Sequence, residues 1–173
     1  MWIYNLIYGS KNKEIDNLKI ENETLRRKLE ELMTKSLEYP KSYGKITLKE
    51  ELSILGPLTS NIQITDEYLN VTTMNEAKKF SNDTKVANRV WVKEDHDCDN
   101  FAAALWGYYN TGLWSYAFGY ARSNSHAFNI MIDNDKKIWI VEPQTNEYMN
   151  LEEAKKKSTP DGLNYWPITF IQM

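Results

Sequence analysis

The 173-residue sequence contains one cysteine, Cys98, and two histidines, His96 and His126. A single cysteine excludes an intrachain disulfide and a multi-cysteine zinc site. With two histidines beside it, the ways of pairing a thiol with an imidazole are few. The sequence also lacks a basic excess: 21 Lys and Arg stand against 24 Asp and Glu, for a formal net charge of -3. A dedicated nucleic-acid binder would show the opposite balance. No apolar run approaches the roughly 20 residues needed to cross a bilayer. The run Trp2 to Tyr8 has neither the basic flank nor the small-residue cleavage site of a signal peptide. It reads as a sticky segment that packs on something, a partner chain or a membrane surface. What remains is a soluble composition, 42% apolar and 26% charged, with 13% aromatics to build a core.

Residues 11–37 differ from the rest. Residues 11–36 hold no glycine, proline or aromatic residue. With Ile15 at heptad position a, Leu18 falls at d, and Asn22, Leu25, Leu29 and Leu32 fall at a, d, a and d. Glu14 and Glu21 take g positions; Lys19 and Arg26 take the e positions that pair with them across a parallel interface. The pattern predicts a coiled coil, with Asn22 favouring a parallel dimer. Four segments follow: an apolar stretch at 1–10, the coiled-coil helix at 11–37, a linker at 38–45 containing Tyr39-Pro40 and Tyr43-Gly44, and a globular domain at 46–173.

In the globular part, Thr47 with Glu50 and Thr73 with Glu76 have capping-box spacing, which predicts helices over Leu48–Leu55 and Met74–Phe80. Ile62 to Val71 between them reads as extended. A third helix is expected over Cys98–Tyr109. The period then changes to two: strands are expected over Trp114–Tyr120, His126–Ile132, Lys136–Glu142 and Tyr165–Ile171, with a short helix after Asn150. Helices followed by an antiparallel meander make an α+β domain.

Asp133-Asn134-Asp135 is a turn signal between two apolar runs. A loop centred on Asn134 sets Phe128 opposite Ile140 and His126 opposite Glu142. Directly opposed Cβ atoms lie roughly 4.5–5.5 Å apart, which allows an imidazole–carboxylate hydrogen bond. Cys98 stands at the expected start of a helix, where the positive end of the dipole favours thiolate. The three side chains together form a nucleophile, a base and an orienting carboxylate. His96 is the competing base, but two residues from Cys98 it is poorly placed. Trp106, Tyr108, Trp114, Tyr116 and Trp139 are expected in the core, with one or two free to line a groove.

Asp97-Cys98-Asp99-Asn100-Phe101-Ala102, His126-Ala127-Phe128-Asn129 and Trp139-Ile140-Val141-Glu142-Pro143-Gln144 occur in that order. Together they resemble papain-like, transglutaminase-like cysteine peptidases, as in the C-terminal domain of the Marasmius oreades agglutinin and its microbial and viral relatives. The resemblance covers about residues 62–147. It implies a papain-like fold and a catalytic triad of Cys98, His126 and Glu142 that hydrolyses a peptide or isopeptide bond through a Cys98 thioester. Acyl transfer by the same thioester is the alternative within enzymes. A structural or adaptor protein without activity, such as a phage or viral accessory protein, is the alternative outside them. The agglutinin's sugar-binding domain has no counterpart, a coiled coil standing in its place, so lectin activity is not expected. No glutamine precedes Cys98 closely enough to serve an oxyanion hole, Gln63 being the nearest. The carboxylates Glu94, Asp95, Asp97 and Asp99 crowd the thiol and oppose its ionisation. Calcium or manganese held by Asp95, Asp97 and Asp99 would offset them, in line with the metal dependence of agglutinin-type enzymes.

Overall fold

The structure is a computed structural model and describes residues 15–26, 28, 37–92, 97–111 and 115–173. The chain divides into two compact units, Met1–Glu38 and Tyr39–Met173. In the first, residues 15–26 form helix α1. Its a and d side chains Ile15, Leu18 and Leu25 are about half exposed, at 49%, 54% and 57%. Leu29, Leu32, Glu14 and the Trp2–Tyr8 segment lie outside the described residues.

The second unit runs β1 (Lys45–Thr47), α2 (Leu48–Leu55), β2 (Ile62–Gln63), β3 (Tyr68–Asn70), α3 (Met74–Asp83), α4 (Cys98–Tyr109), β4 (Phe118–Ser123), β5 (Ala127–Ile132), β6 (Ile138–Glu142), β7 (Glu147–Asn150), α5 (Leu151–Lys156) and β8 (Ile168–Gln172). Side chains that answer unpaired backbone N–H groups start the helices. Thr47 Oγ1 accepts from the Glu50 amide at 3.3 Å while Glu50 returns a bond to the Thr47 amide at 3.0 Å. Thr73 caps α3 through the Glu76 amide, and Asn150 and Glu153 form a capping box at α5.

Six strands form one sheet in the order β2-β8-β4-β5-β6-β7, antiparallel except for the β2–β8 pair. β1 and β3 form a separate antiparallel ribbon. The fold class is α+β. All six residues of β5 are buried, because both faces of the sheet are covered there. Phe128, Ile130 and Ile132 join Ile140, Ile171, Leu55 and Leu69 in one core. On the other face Asn129 ties the sheet to α4: its Nδ2 donates to Ala102 O at 2.9 Å and to Gly119 O at 3.1 Å. Tyr109 of α4 stacks on Phe118 of β4 with ring centroids 3.8 Å apart. Its hydroxyl donates to Ala77 O of α3 at 2.6 Å.

Three sequence expectations change. The extended stretch 62–71 is two short strands in different sheets, β2 and β3. The strand expected over Trp114–Tyr120 begins at Phe118; Tyr116 makes an isolated bridge to Asn70, and Trp114 is outside the described residues. The β5–β6 hairpin pairs Ile130 with Ile140 and Ile132 with Ile138, not Phe128 with Ile140. Its loop is longer than the three residues expected. Asp133 Oδ1 accepts from the backbone amides of Asp135 and Lys137, both at 2.9 Å, and moves the centre of the turn to Asp135.

Candidate functional site

The new register sets Glu142 one step along the sheet from the position opposite His126. Shifting the pairing by two keeps parity, so both side chains remain on the same face, as diagonal neighbours. His126 Nε2 and Glu142 Oε2 are 2.7 Å apart, and both residues are 4% exposed. The carboxylate is held at both oxygens. The Tyr165 hydroxyl donates to Oε2 at 2.8 Å, and the backbone amide of Gln144 donates to Oε1 at 3.1 Å. Tyr165 also packs edge-on against the His126 ring, with centroids 5.1 Å apart. Burial and the adjoining Glu142 raise the Tyr165 hydroxyl far above its ordinary value, so it stays a donor.

With Nε2 bound to Glu142, Nδ1 is the imidazole nitrogen left for Cys98; it is buried and has no hydrogen-bond partner among the described residues. Cys98 is partly buried at the first residue of α4. Hydrogen bonding from His126 lowers its thiol below the ordinary range, and the Ala127 backbone amide adds to this. Burial and the Asp97 carboxylate work against it. Burial disfavours the His126 cation, yet Cys98 and Glu142 outweigh it and raise the imidazole from 6.5 to about 9. Both shifts favour the thiolate–imidazolium form of the Cys98–His126 pair over the neutral one. Such a thiolate is a nucleophile held ready without a separate proton-transfer step.

The sequence brought forward Cys98, His126 and Glu142, and the structure places all three together. It did not bring forward Tyr165, which reaches the site from just before β8, or the Ala127 and Gln144 amides. Tyr165 carried no signal, since its bond spans 23 positions of sequence. The Gln144 amide carried none either, since the rule that a side chain bonds the amide two residues on belongs to Asp and Asn, and its acceptor here is a glutamate. Among the described residues, the aromatic side chains at the pocket are Trp91 and Tyr165 rather than Trp106, Tyr108, Tyr116 or Trp139. Asp97 and Asp99 are adjacent, and a hydrogen bond with Asp97 raises the Asp99 carboxyl above its usual range. Asp95, Glu94 and His96 lie outside the described residues. Among the described residues no group of three or more His, Cys, Asp or Glu side chains is arranged to hold a metal ion.

Cys98, His126 and Glu142 open into a pocket of about 680 Å³. Part of its lining is the segment from Lys157 to Leu163, between α5 and β8.

No family model and no curated protein matches the chain. Solved structures that share its fold include the following two. One is titled a PSL1a–E64 complex, with 17% identity over 75% of this chain and 51% of that one, and a TM-score of 0.57. The other is Polyporus squamosus lectin bound to the human-type influenza-binding epitope Neu5Acα2-6Galβ1-4GlcNAc, with 18% identity over 75% of this chain and 49% of that one, and a TM-score of 0.57. The chain spans about half the length of these proteins. The comparison corrects the peptidase expectation, and with it the hydrolase and papain-like labels. These two structures are of a lectin, and neither they nor the other comparisons point to peptide-bond hydrolysis. Three short motifs fix where side chains stand; they do not fix a reaction. What the chain shares with these structures is the fold.

Proposed function

We propose that the globular unit is a ligand-binding protein whose pocket carries a nucleophilic thiol. Cys98 is the nucleophile, His126 holds it ionised, and Glu142 with Tyr165 holds the imidazole. The observation that carries this reading is the buried 2.7 Å bond between His126 and Glu142, which leaves Nδ1 free for the sulfur. The test is the rate of Cys98 alkylation by iodoacetamide as a function of pH. Wild type should titrate well below the free-thiol value of about 8.5. In His126→Ala the inflection should move upward. An unmoved inflection in a variant with an unchanged melting transition would overturn the reading.

A second reading is carbohydrate binding in the same pocket. It is favoured by the likeness to a lectin and by the hydroxyl groups of Ser125, Thr145, Ser158 and Thr159 along the lining. A saccharide that fills the pocket should slow alkylation of Cys98. If neither Galβ1-4GlcNAc nor its sialylated form slows it, this second reading falls. The apolar a and d positions of α1 support self-association of the first unit as a parallel dimer.

A further inference from the structure

The pocket is unevenly charged. Among its described lining residues are four carboxylates, Asp97, Glu142, Glu147 and Asp161, together with the Cys98 thiol. Only His126 and Lys157 carry positive charge there, and both are engaged. His126 is bound to Glu142, and Lys157 Nζ donates to Glu147 Oε1. Asp97 and Asp161 have no ion pair among the described residues. Both line the same pocket as the thiol, Asp97 one residue before it in sequence and Asp161 in the Lys157–Leu163 segment. Trp91, half exposed at 50%, lines the same space. Carboxylates that converge on a cleft of low polarity concentrate counter-ions of the opposite sign, and an exposed indole adds a face suited to cations.

We infer that the pocket selects ligands carrying an organic cation, an ammonium or guanidinium group, and that Asp161 and Asp97 set this preference. The inference rests on the reading of Cys98 as the pocket's nucleophile. It also orders the saccharides: an amino sugar should compete better than a neutral one, and a sialylated one least.

The experiment uses the full chain and three methanethiosulfonates of similar size, carrying an ammonium group, a sulfonate or no charge. Each converts the Cys98 thiolate to a mixed disulfide and releases methanesulfinate. Rates are divided by those of the same reagents with a free thiol. The ammonium reagent should then exceed the sulfonate by roughly ten-fold or more at low salt. The ratio should shrink toward unity as the Debye length falls below about 10 Å. Asp161 lies in an exposed turn, so Asp161→Asn should fold normally and lower the ratio several-fold. Lys157→Gln, which releases Glu147, should raise it. A normalised ratio near unity at low salt, or one that favours the sulfonate, would overturn the inference. The ratio does not depend on how ionised the thiol is. A retained cation preference with a free-thiol pH profile would therefore sink the nucleophile reading alone, and a depressed inflection with no preference would sink this inference alone.

Discussion

Glu51, on α2, is fully buried, and neither of its carboxylate oxygens has a hydrogen-bond partner. Burial, with Asp66 and Glu50 nearby, raises it from 4.5 to about 7. A carboxyl whose folded value is raised holds its proton in the native state, so it costs nothing below the unfolded value. Its cost grows as pH rises from about 4.5 to 7. His126 behaves differently. Its folded value of about 9 stabilises fully below 6.5 and is lost as pH rises through 9. The decline between pH 5 and 6.5 therefore belongs to Glu51. Glu51→Gln should flatten it and should raise stability at pH 8 by on the order of 2 kcal/mol. Urea unfolding of both proteins at pH 5 and pH 8 measures this, and equal slopes with pH would contradict it. Tyr165 makes a different kind of prediction. Tyr165→Phe removes one donor from Glu142 but leaves the Gln144 amide and His126 in place. It should cost about 1–2 kcal/mol in urea unfolding, while the Cys98 inflection moves far less than in His126→Ala.

Which elements were legible in the sequence follows from how local their causes are. Capping pairs three residues apart marked the starts of α2 and α3, Asn150 alone marked that of α5, and the first two end where Gly56 and Thr84 stand. The α4 helix was read from the stripe of Phe101, Ala102, Leu105 and Tyr109, four residues that the structure buries. β7 went unread, because its four residues depend on pairing with β6 for their place. The hairpin register was missed by two positions, because Asp133 builds a loop from its own side chain and Lys136 adopts a positive φ of 63°. The His126–Glu142 contact survived because an even shift preserves the face. Gly119 shows the same limit in packing. A Cβ there would meet Gln172 O and Met173 Sδ, both at 2.4 Å, since β8 runs closely alongside β4. No pattern in the sequence marked that approach. Gly119→Ala should lower stability by about 1–3 kcal/mol. Because Asn129 bonds Gly119 O and the α4 carbonyl of Ala102, the same change should also disturb the seat of Cys98. A Gly119→Ala protein with an unchanged melting transition would show that β8 gives way without cost.

At the scale of the whole molecule, the site was legible where it lay within one hairpin and one helix, and illegible where it needed the chain from Trp91 or Lys157 to Leu163. The first unit reverses this: its heptad pattern is plain in the sequence, and the self-association we propose for it lies outside a single chain. Along α1, Ile15, Leu18 and Leu25 stand about half exposed, with Asn22 exposed between them. A lone amphipathic helix of this length is marginal in water, since most helical stability comes from burying the apolar face. A second copy in parallel register would cover the stripe, pair Asn22 with Asn22 and set Glu21 against Arg26 of the other chain. The full chain should therefore sediment at about twice its 20.3 kDa mass. Leu18→Lys with Leu25→Lys places cations at two d positions, where burial of charge is costly, and should give a monomer whose Cys98 alkylation is unaltered. Asn22→Ile should raise the stability of the assembly and loosen its choice of two chains, because the polar pair trades stability for a defined partner number. A wild-type chain that sediments as a monomer at its highest soluble concentration would remove the dimer, and the α1 stripe would then have to pack on another protein.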